Sequence, residues 1–226
     1  MIEQLLSTLK DDSPEGPPGV EFLGEVGVTG FIDGEALATA IDLTAGTSQF
    51  TDSPWLHFIL DDKTLYVAKK PYRYNLSWNH INDAGAVFGV KTVIINEREY
   101  KVRLLKSAVG DVYTGDNGVY DPVEAYGSEW NRLMYPIHSG NHTDANNPSP
   151  VSGEGINFGS LARYTDADLA LHGTGDSGSY SWCQETPSTD PTRRVYRGRL
   201  GVSNLSWLSA SNVHSARGWR PVLELI

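Results

Sequence analysis

Apolar residues recur along this chain in short blocks, most of them too brief or too strictly alternating for a long helix. Ile2, Leu5, Leu6 and Leu9 share one helical face, and the Asp-, Pro- and Gly-rich run 11–19 that follows breaks any helix and reads as a semi-rigid linker. Residues 20–27 form a strand pattern. Asp33 caps a short helix with Leu37, Ala40 and Ile41 on one face, closed by Gly46. Trp55 to Phe58 and Thr64 to Ala68 flank Asp61-Asp62-Lys63, a hairpin signal. Asn75 or Ser77 caps a second helix that turns Trp78, Ile81 and Gly85 inward, and the alternation from Lys91 to Lys106 predicts two strands joined near Asn96-Glu97.

After a Gly- and Asp-rich surface loop over 107–128, Ser128 to Tyr135 is a short helix, with Trp130, Leu133 and Met134 inward and Pro136 ending it. A second loop covers roughly 138–160, Thr165 caps a helical turn through Leu171, and a glycine-rich turn at Gly173 to Gly178 precedes Ser179 to Glu185. Arg194 to Gly198 and Gly218 to Leu223 are two strand-like runs. The second is expected to be a terminal strand locked into a sheet, and 199–217 between them a loop-rich insert that the sheet presents. With no internal repeat and no clean boundary past Gly19, the expectation is an arm at 1–19 and a single domain at 20–226.

Composition narrows the class. The 23 Gly and 12 Pro, with 6 Trp and 11 Tyr in 226 residues, favour a loop-rich α+β domain packed around aromatics. A formal charge of −10 argues against nucleic acid or an anionic membrane as partner, since phosphate attraction needs a basic face. The single Cys183 excludes an intrachain disulfide and a cysteine-based zinc cluster. The stretch MIEQLLSTLK carries no secretory leader pattern, and no apolar run approaches the roughly 18 residues that would span a bilayer. The chain is expected to be made in a reducing cytoplasm.

Candidate chemistry is sparse. His138 and His142 are four apart, but Pro136 and Gly140 argue against the helix that would pair them on zinc. Asp111, Asp116, Asn117 and Asp121 crowd one loop without EF-hand spacing and read as a solvated acidic loop ahead of a calcium site. No Gly-x-Ser-x-Gly elbow is present. Glu185 and Asp190 give no sign of the divergent acidities that a glycosidase pair requires, and Gly173 to Gly178 lacks the Lys of a phosphate loop. No catalytic residue, metal or cofactor is assigned.

Five pieces in one order resemble formylglycine-generating enzymes, the sulfatase-modifying-factor branch of the C-type-lectin-like fold. They are Leu76-Ser77-Trp78, Glu129-Trp130, Trp182-Cys183, Arg194-Val195-Tyr196-Arg197-Gly198 and Gly218-Trp219-Arg220. The resemblance implies a C-type-lectin-like α+β domain with small antiparallel sheets and a few short helices. Trp78, Glu129, Trp130, Trp182, Arg197, Gly198, Trp219 and Arg220 are its structural anchors, with Glu129 and Arg220 expected as a buried charge pair. The family's oxidase activity looks to two cysteines between the last two pieces, and 199–217 contains none.

The same scaffold implies a different use, the display of variable loops in tailed-phage virion and receptor-binding proteins. On that resemblance 199–217 is the binding surface, with Asn204, Trp207, Ser209, Ser211, Asn212, His214 and Arg217 as ligand-contacting residues for a host-surface glycan or protein. The opposing reading is a solvated turn whose Trp207 packs inward. The expected protein is a non-catalytic virion component of the tail, fibre, collar or capsid decoration, attached to other virion proteins through residues 1–19 and oligomeric in the particle. A formylglycine-type oxidase and a decoration protein without a receptor are the alternatives.

Overall fold

The computed structural model describes residues 19–107, 128–139, 163–171, 177–187, 190–199 and 201–226. The arm at 1–18, the acidic loop at 111–121, His142 and most of the loop at 138–160 lie outside the described residues, as does the greater part of the glycine-rich turn.

The first half of the chain is built from local signals. β1 (Val20–Val26) precedes α1 (Gly34–Ala40), whose N-cap Asp33 accepts from Glu35 N at 2.9 Å and Ala36 N at 2.8 Å. The helix ends at Ile41, where Asp42 turns to a left-handed φ of 60°, so Gly46 is not its cap; Ala38 is buried with Leu37, and Ala40 faces out. After the two-residue β2 (Thr47–Ser48), β3 (Trp55–Leu60) and β4 (Lys63–Ala68) pair as a hairpin. Its turn residues Asp61 and Asp62 both have positive φ, the geometry that matches strand twist. β5 (Arg73–Tyr74) leads to α2 (Trp78–Asp83), entered through a capping box in which Ser77 Oγ accepts from His80 N at 3.2 Å and His80 Nδ1 accepts from Ser77 N at 3.3 Å. β6 (Phe88–Ile95) and β7 (Arg98–Arg103) form a second hairpin over Asn96-Glu97, again with positive φ at both.

α3 (Glu129–Ile137) is capped by Ser128 and runs two residues past its expected end at Tyr135, with Pro136 inside it. β8 (Tyr180–Trp182), β9 (Arg193–Gly198), β10 (Gly201–Ser209), β11 (Arg217–Trp219) and β12 (Val222–Leu225) complete the elements of the described residues. The expected helical turn at 165–171 is a hydrogen-bonded turn, with Asp168 accepting from Thr165 N and Oγ1.

Two six-stranded sheets result, in the orders β1-β3-β4-β12-β7-β6 and β10-β9-β8-β11-β5-β2. The first is antiparallel throughout, and the second has one parallel pair, β8 with β11. Strand content is about 40% against 14% helix among the described residues, so the fold is mainly β. This corrects the expected loop-rich α+β, C-type-lectin-like domain with small sheets. The largest single reason is 201–209, expected as an insert, which forms the longest strand of the second sheet. Its register slips between Gly201 and Leu205, and that bulge breaks the alternation by which a strand is recognised.

The terminal strand behaves as expected and more so: β12 lies between β4 and β7 near the middle of the first sheet. The chain leaves the second sheet at Trp219 and enters the first at Val222, making Arg220-Pro221 the joint between them. Alternation then divides the core. Trp55, Trp78, Trp182, Tyr196, Trp219 and Leu223 pack in one cluster, and Leu56, Trp130, Cys183, Val195 and Val222 in another. Each sheet lends a face to both.

Candidate functional site

The anchors lock this joint. The Trp78 indole donates to Cys183 O at 2.9 Å while the Trp182 indole donates to Leu76 O at 3.1 Å, a reciprocal clamp between α2 and β8. Trp130 donates to Val202 O at 2.8 Å, tying α3 to β10. Each satisfies a buried N–H that would otherwise lose its water without replacement. Gly198 has φ 92°, and a Cβ there would come within 2.8 Å of Ser179 O and Leu171, so only glycine fits. Gly218 lies against the Gly178 backbone with no room for a side chain.

The expected Glu129–Arg220 pair does not form. Glu129 instead takes both Nη atoms of Arg103, at 2.7 and 2.8 Å, and Arg103 Nε donates to Glu224 at 2.7 Å. Burial alone would raise the Glu224 carboxyl, but Arg103 and Lys63 outweigh it and hold it below its usual range. Arg220, 1% exposed, donates to the carbonyls of Ala68 (2.9 Å), Lys69 and Leu169 and to Ser181 Oγ (3.0 Å). Carbonyl dipoles are weaker partners than a carboxylate, and burial pulls its pKa down to about 9. Arg197, fully buried on β9, donates to Asn131 Oδ1 at 2.7 Å and lies over the Trp130 ring.

The seven expected ligand residues do not share one surface. The β9–β10 register sets Trp207 opposite Val195 and Leu208 opposite Arg194, so Trp207 turns to the face away from Tyr196 and packs, half-buried, against the second cluster. Asn204 is buried. The inward-packing alternative is therefore the one that Trp207 follows. Ser209, Ser211, Asn212 and His214 belong to a braced turn. Ser209 and Ser211 share a hydroxyl hydrogen bond of 3.0 Å, Asn212 N donates to Ser209 O, and His214 Nδ1 accepts from Ala216 N at 3.1 Å. Gly178 N and Tyr180 N donate to Ser215 O and Ala216 O, fixing the turn to the start of β8.

Arg217 ends this turn on the Tyr196 side of the sheet. Its guanidinium carbon lies 4.4 Å from the Tyr196 ring centroid, 4.8 Å from Tyr180 and 6.0 Å from Trp182. On β9 the same arrangement recurs, with Arg194 4.3 Å from the Trp78 centroid. Burial lowers the pKa of both arginines. Arg103, Arg194, Tyr180 and Tyr196 were not singled out from sequence as site residues. An arginine in an alternating strand reads as solvated by default, and only register shows which ring it meets.

The other candidates take structural places. Cys183 is fully buried, and burial, reinforced by Glu185, pushes its thiol well above the ordinary range. His138 meets Asp166 at 3.0 Å, Glu185 accepts from Ser107 N, and Asp190 caps the Thr192 turn. Among the described residues no group of three His, Cys, Asp or Glu is placed to hold a metal, and no helix is long and apolar enough to cross a membrane. No protein-family model matches the sequence, and neither the curated proteins nor the solved structures contain a match. The resemblance to formylglycine-generating enzymes rests on its five sequence pieces alone.

Proposed function

We propose that this chain is a non-catalytic structural and adhesion protein of a phage particle, sited in the tail, fibre, collar or capsid decoration, which presents the turn 209–216 to a partner on the host surface. The observation that carries the recognition half is the turn itself. Exposed Ser211, His214 and Ser215 sit on a backbone braced at both ends by strands of the second sheet. Adaptable donors and acceptors on a pre-ordered backbone bind at a lower entropic cost than the same groups on a free loop. The virion half is carried by the sequence resemblance. The non-catalytic half is supported by Cys183: a thiol oxidase of the resembled kind works through a pair of accessible thiolates, and the one thiol here is walled in and hard to ionise.

Antibody labelling of purified particles, combined with competition of host adsorption by the free protein, tests both halves. Surface label with competition supports the proposal, and particles without the protein end it. Label without competition transfers the case to the decoration protein that binds no receptor. Asn212→Ala with His214→Ala is expected to abolish competition while leaving the unfolding midpoint within a few degrees, since neither side chain is deep in the core.

A further inference from the structure

The loop that leaves α1, the end of α2 and the start of β6 line an open cavity of about 300 Å³. Buried Ile41 and Leu43 with half-buried Ala84 give it apolar surface, and Asp42, His80, Asp83 and Lys91 bring charge and hydrogen-bonding groups to it. Asp42, His80 and Asp83 are exposed and Lys91 is half-buried, so their polar side chains are open to a ligand. The backbone that carries them is fixed. Beyond the left-handed Asp42, Leu43 N donates to Ala38 O at 2.9 Å; Ala84 N donates to His80 O at 3.3 Å, and Lys91 N donates to Gly85 O at 3.0 Å.

Charge in this cavity is unbalanced. Lys91 Nζ meets Asp42 at 3.1 Å, while among the described residues no Lys, Arg or His forms an ion pair with Asp83. Asp83 is also the last residue of α2, the end at which a helix favours a cation over an anion, so the fold gains nothing from its charge. A metal ion does not supply the missing cation: among the described residues no three His, Cys, Asp or Glu are placed to hold one. Asp42, His80 and Asp83 thus line one cavity at a spacing that a molecule bridges and a single ion does not. Donors stand beside the acids. His80 Nδ1 accepts from Ser77 N, which leaves Nε2 as the ring's donor, and the Lys91 ammonium has N–H groups beyond the one on Asp42.

We propose that this cavity is a subsite for one amino-sugar ring of a surface glycan. The proposal rests on the adhesion reading above and gives it a ligand class. Asn79 N donates to Ala210 O at 3.1 Å, so α2 ties the cavity to the turn 209–216. The volume is at the lower end of the roughly 300–1,000 Å³ of small-molecule sites, which suits a single ring. The ammonium of the sugar pairs with Asp83, its hydroxyls meet Lys91 Nζ, His80 Nε2 and the Thr44 hydroxyl, and its C–H face covers Ile41, Leu43 and Ala84. A neutral ring leaves Asp83 without a cation, and a lysine side chain brings the cation without the hydroxyls and with more rotamer freedom to lose.

Amide chemical-shift titration of the full chain tests this with an oligomer of glucosamine, its N-acetylated form, and oligolysine as a cation that is not a sugar. The expected result is saturable shifts at 41–45, 80–84 and Lys91 with the glucosamine oligomer, and binding of the other two that is weaker by roughly tenfold or more. Asp83→Asn keeps the side-chain shape and is expected to lose roughly tenfold in affinity while the unfolding midpoint holds or rises, because it removes an unpaired anion from a helix C-terminus. No binding of the glucosamine oligomer, shifts confined to other residues, or equal binding of either control overturns the subsite, as does an unchanged affinity or a lowered midpoint in Asp83→Asn. Competition of host adsorption separates the subsite from the adhesion reading. A wild-type protein that binds the oligomer but does not block adsorption keeps the subsite and removes the adhesion reading; one that blocks adsorption without binding the oligomer keeps the adhesion reading and removes the subsite.

Discussion

Arg220 does at one residue what a disulfide does in other proteins: it connects elements that share no strand pairing. Its guanidinium reaches the end of β4, the turn at Leu169 and Ser181 on β8, all from the two-residue joint between the sheets. Arg220→Met keeps much of the volume but leaves the carbonyls of Ala68, Lys69 and Leu169 without their donor. A buried polar group left without its partner costs about 1–3 kcal/mol, so urea unfolding is expected to show a loss of about 3 kcal/mol or more. Arg220→Lys recovers little, since one ammonium does not span acceptors on three elements. A change below 1 kcal/mol in Arg220→Met would mean that the joint is held by its apolar neighbours. The sequence marked Arg220 as an anchor but assigned it the wrong partner. Glu129 and Arg220 are opposite charges near expected helix and strand ends, and charge alone does not say that Arg103 stands closer. That knowledge comes with the β7–β12 register, which sets Arg103 beside Val222 and so within reach of Glu224 and Glu129.

Among elements, those legible in advance are the ones whose signal is local. Both hairpins turn on a pair of polar residues that accept positive φ, Asp61-Asp62 and Asn96-Glu97, and both were readable from that pair between apolar runs. Among the described residues α1 starts at the expected cap Asp33 and α2 at Ser77, one of the two caps expected there, while Ser128 is the first residue of the helix expected at 128–135; each cap is a hydrogen bond that loss of one side-chain oxygen removes. Ser77→Ala and Ser128→Ala are each expected to cost about 1 kcal/mol in denaturant unfolding, and Ser77→Ala leaves in place the reciprocal bond that its backbone N–H donates to His80 Nδ1. Negligible effects would show the helices to be held by Trp78 and Trp130. The elements that escaped are those defined by something distant. β10 is hidden by its bulge, β2 and β5 are two residues long and exist only because β11 pairs beside them, and the end of α1 is set by Asp42 in a conformation that Gly46 was expected to supply. The candidate site divides in the same way. Residues 209–216 fold as one turn within the segment expected as an insert, while the choice between an exposed and an inward Trp207 needed the β9–β10 register, since a single residue of register sends a strand side chain to the opposite face.

At the scale of the whole molecule the net charge of −10 makes acid the informative perturbation. Among the described residues the carboxylates that matter are few, because most of the acidic side chains there lie at the surface, where pairing contributes little. Glu224 is different. It sits on the central terminal strand, shares Arg103 with Glu129, and has its carboxyl held below the ordinary glutamate range by Arg103 and Lys63. A carboxyl with a lowered folded pKa binds fewer protons in the native state than in the unfolded chain, so its stabilising contribution is complete above the unfolded value. It is lost as pH falls through the depressed folded one. Stability measured by urea unfolding is therefore expected to be level in this respect above about pH 5 and to fall progressively below about pH 4.5. Glu224→Gln removes that titration and flattens the acid limb. It also leaves Arg103 with only Glu129, so the variant should be less stable at neutral pH and converge on the wild type in acid. Asp61, paired with Arg132 at the β3–β4 turn, adds a smaller contribution of the same sign at lower pH, reduced by its exposure. An acid limb equally steep in Glu224→Gln would move the acid sensitivity out of the β7–β12–α3 knot and into the surface charge at large.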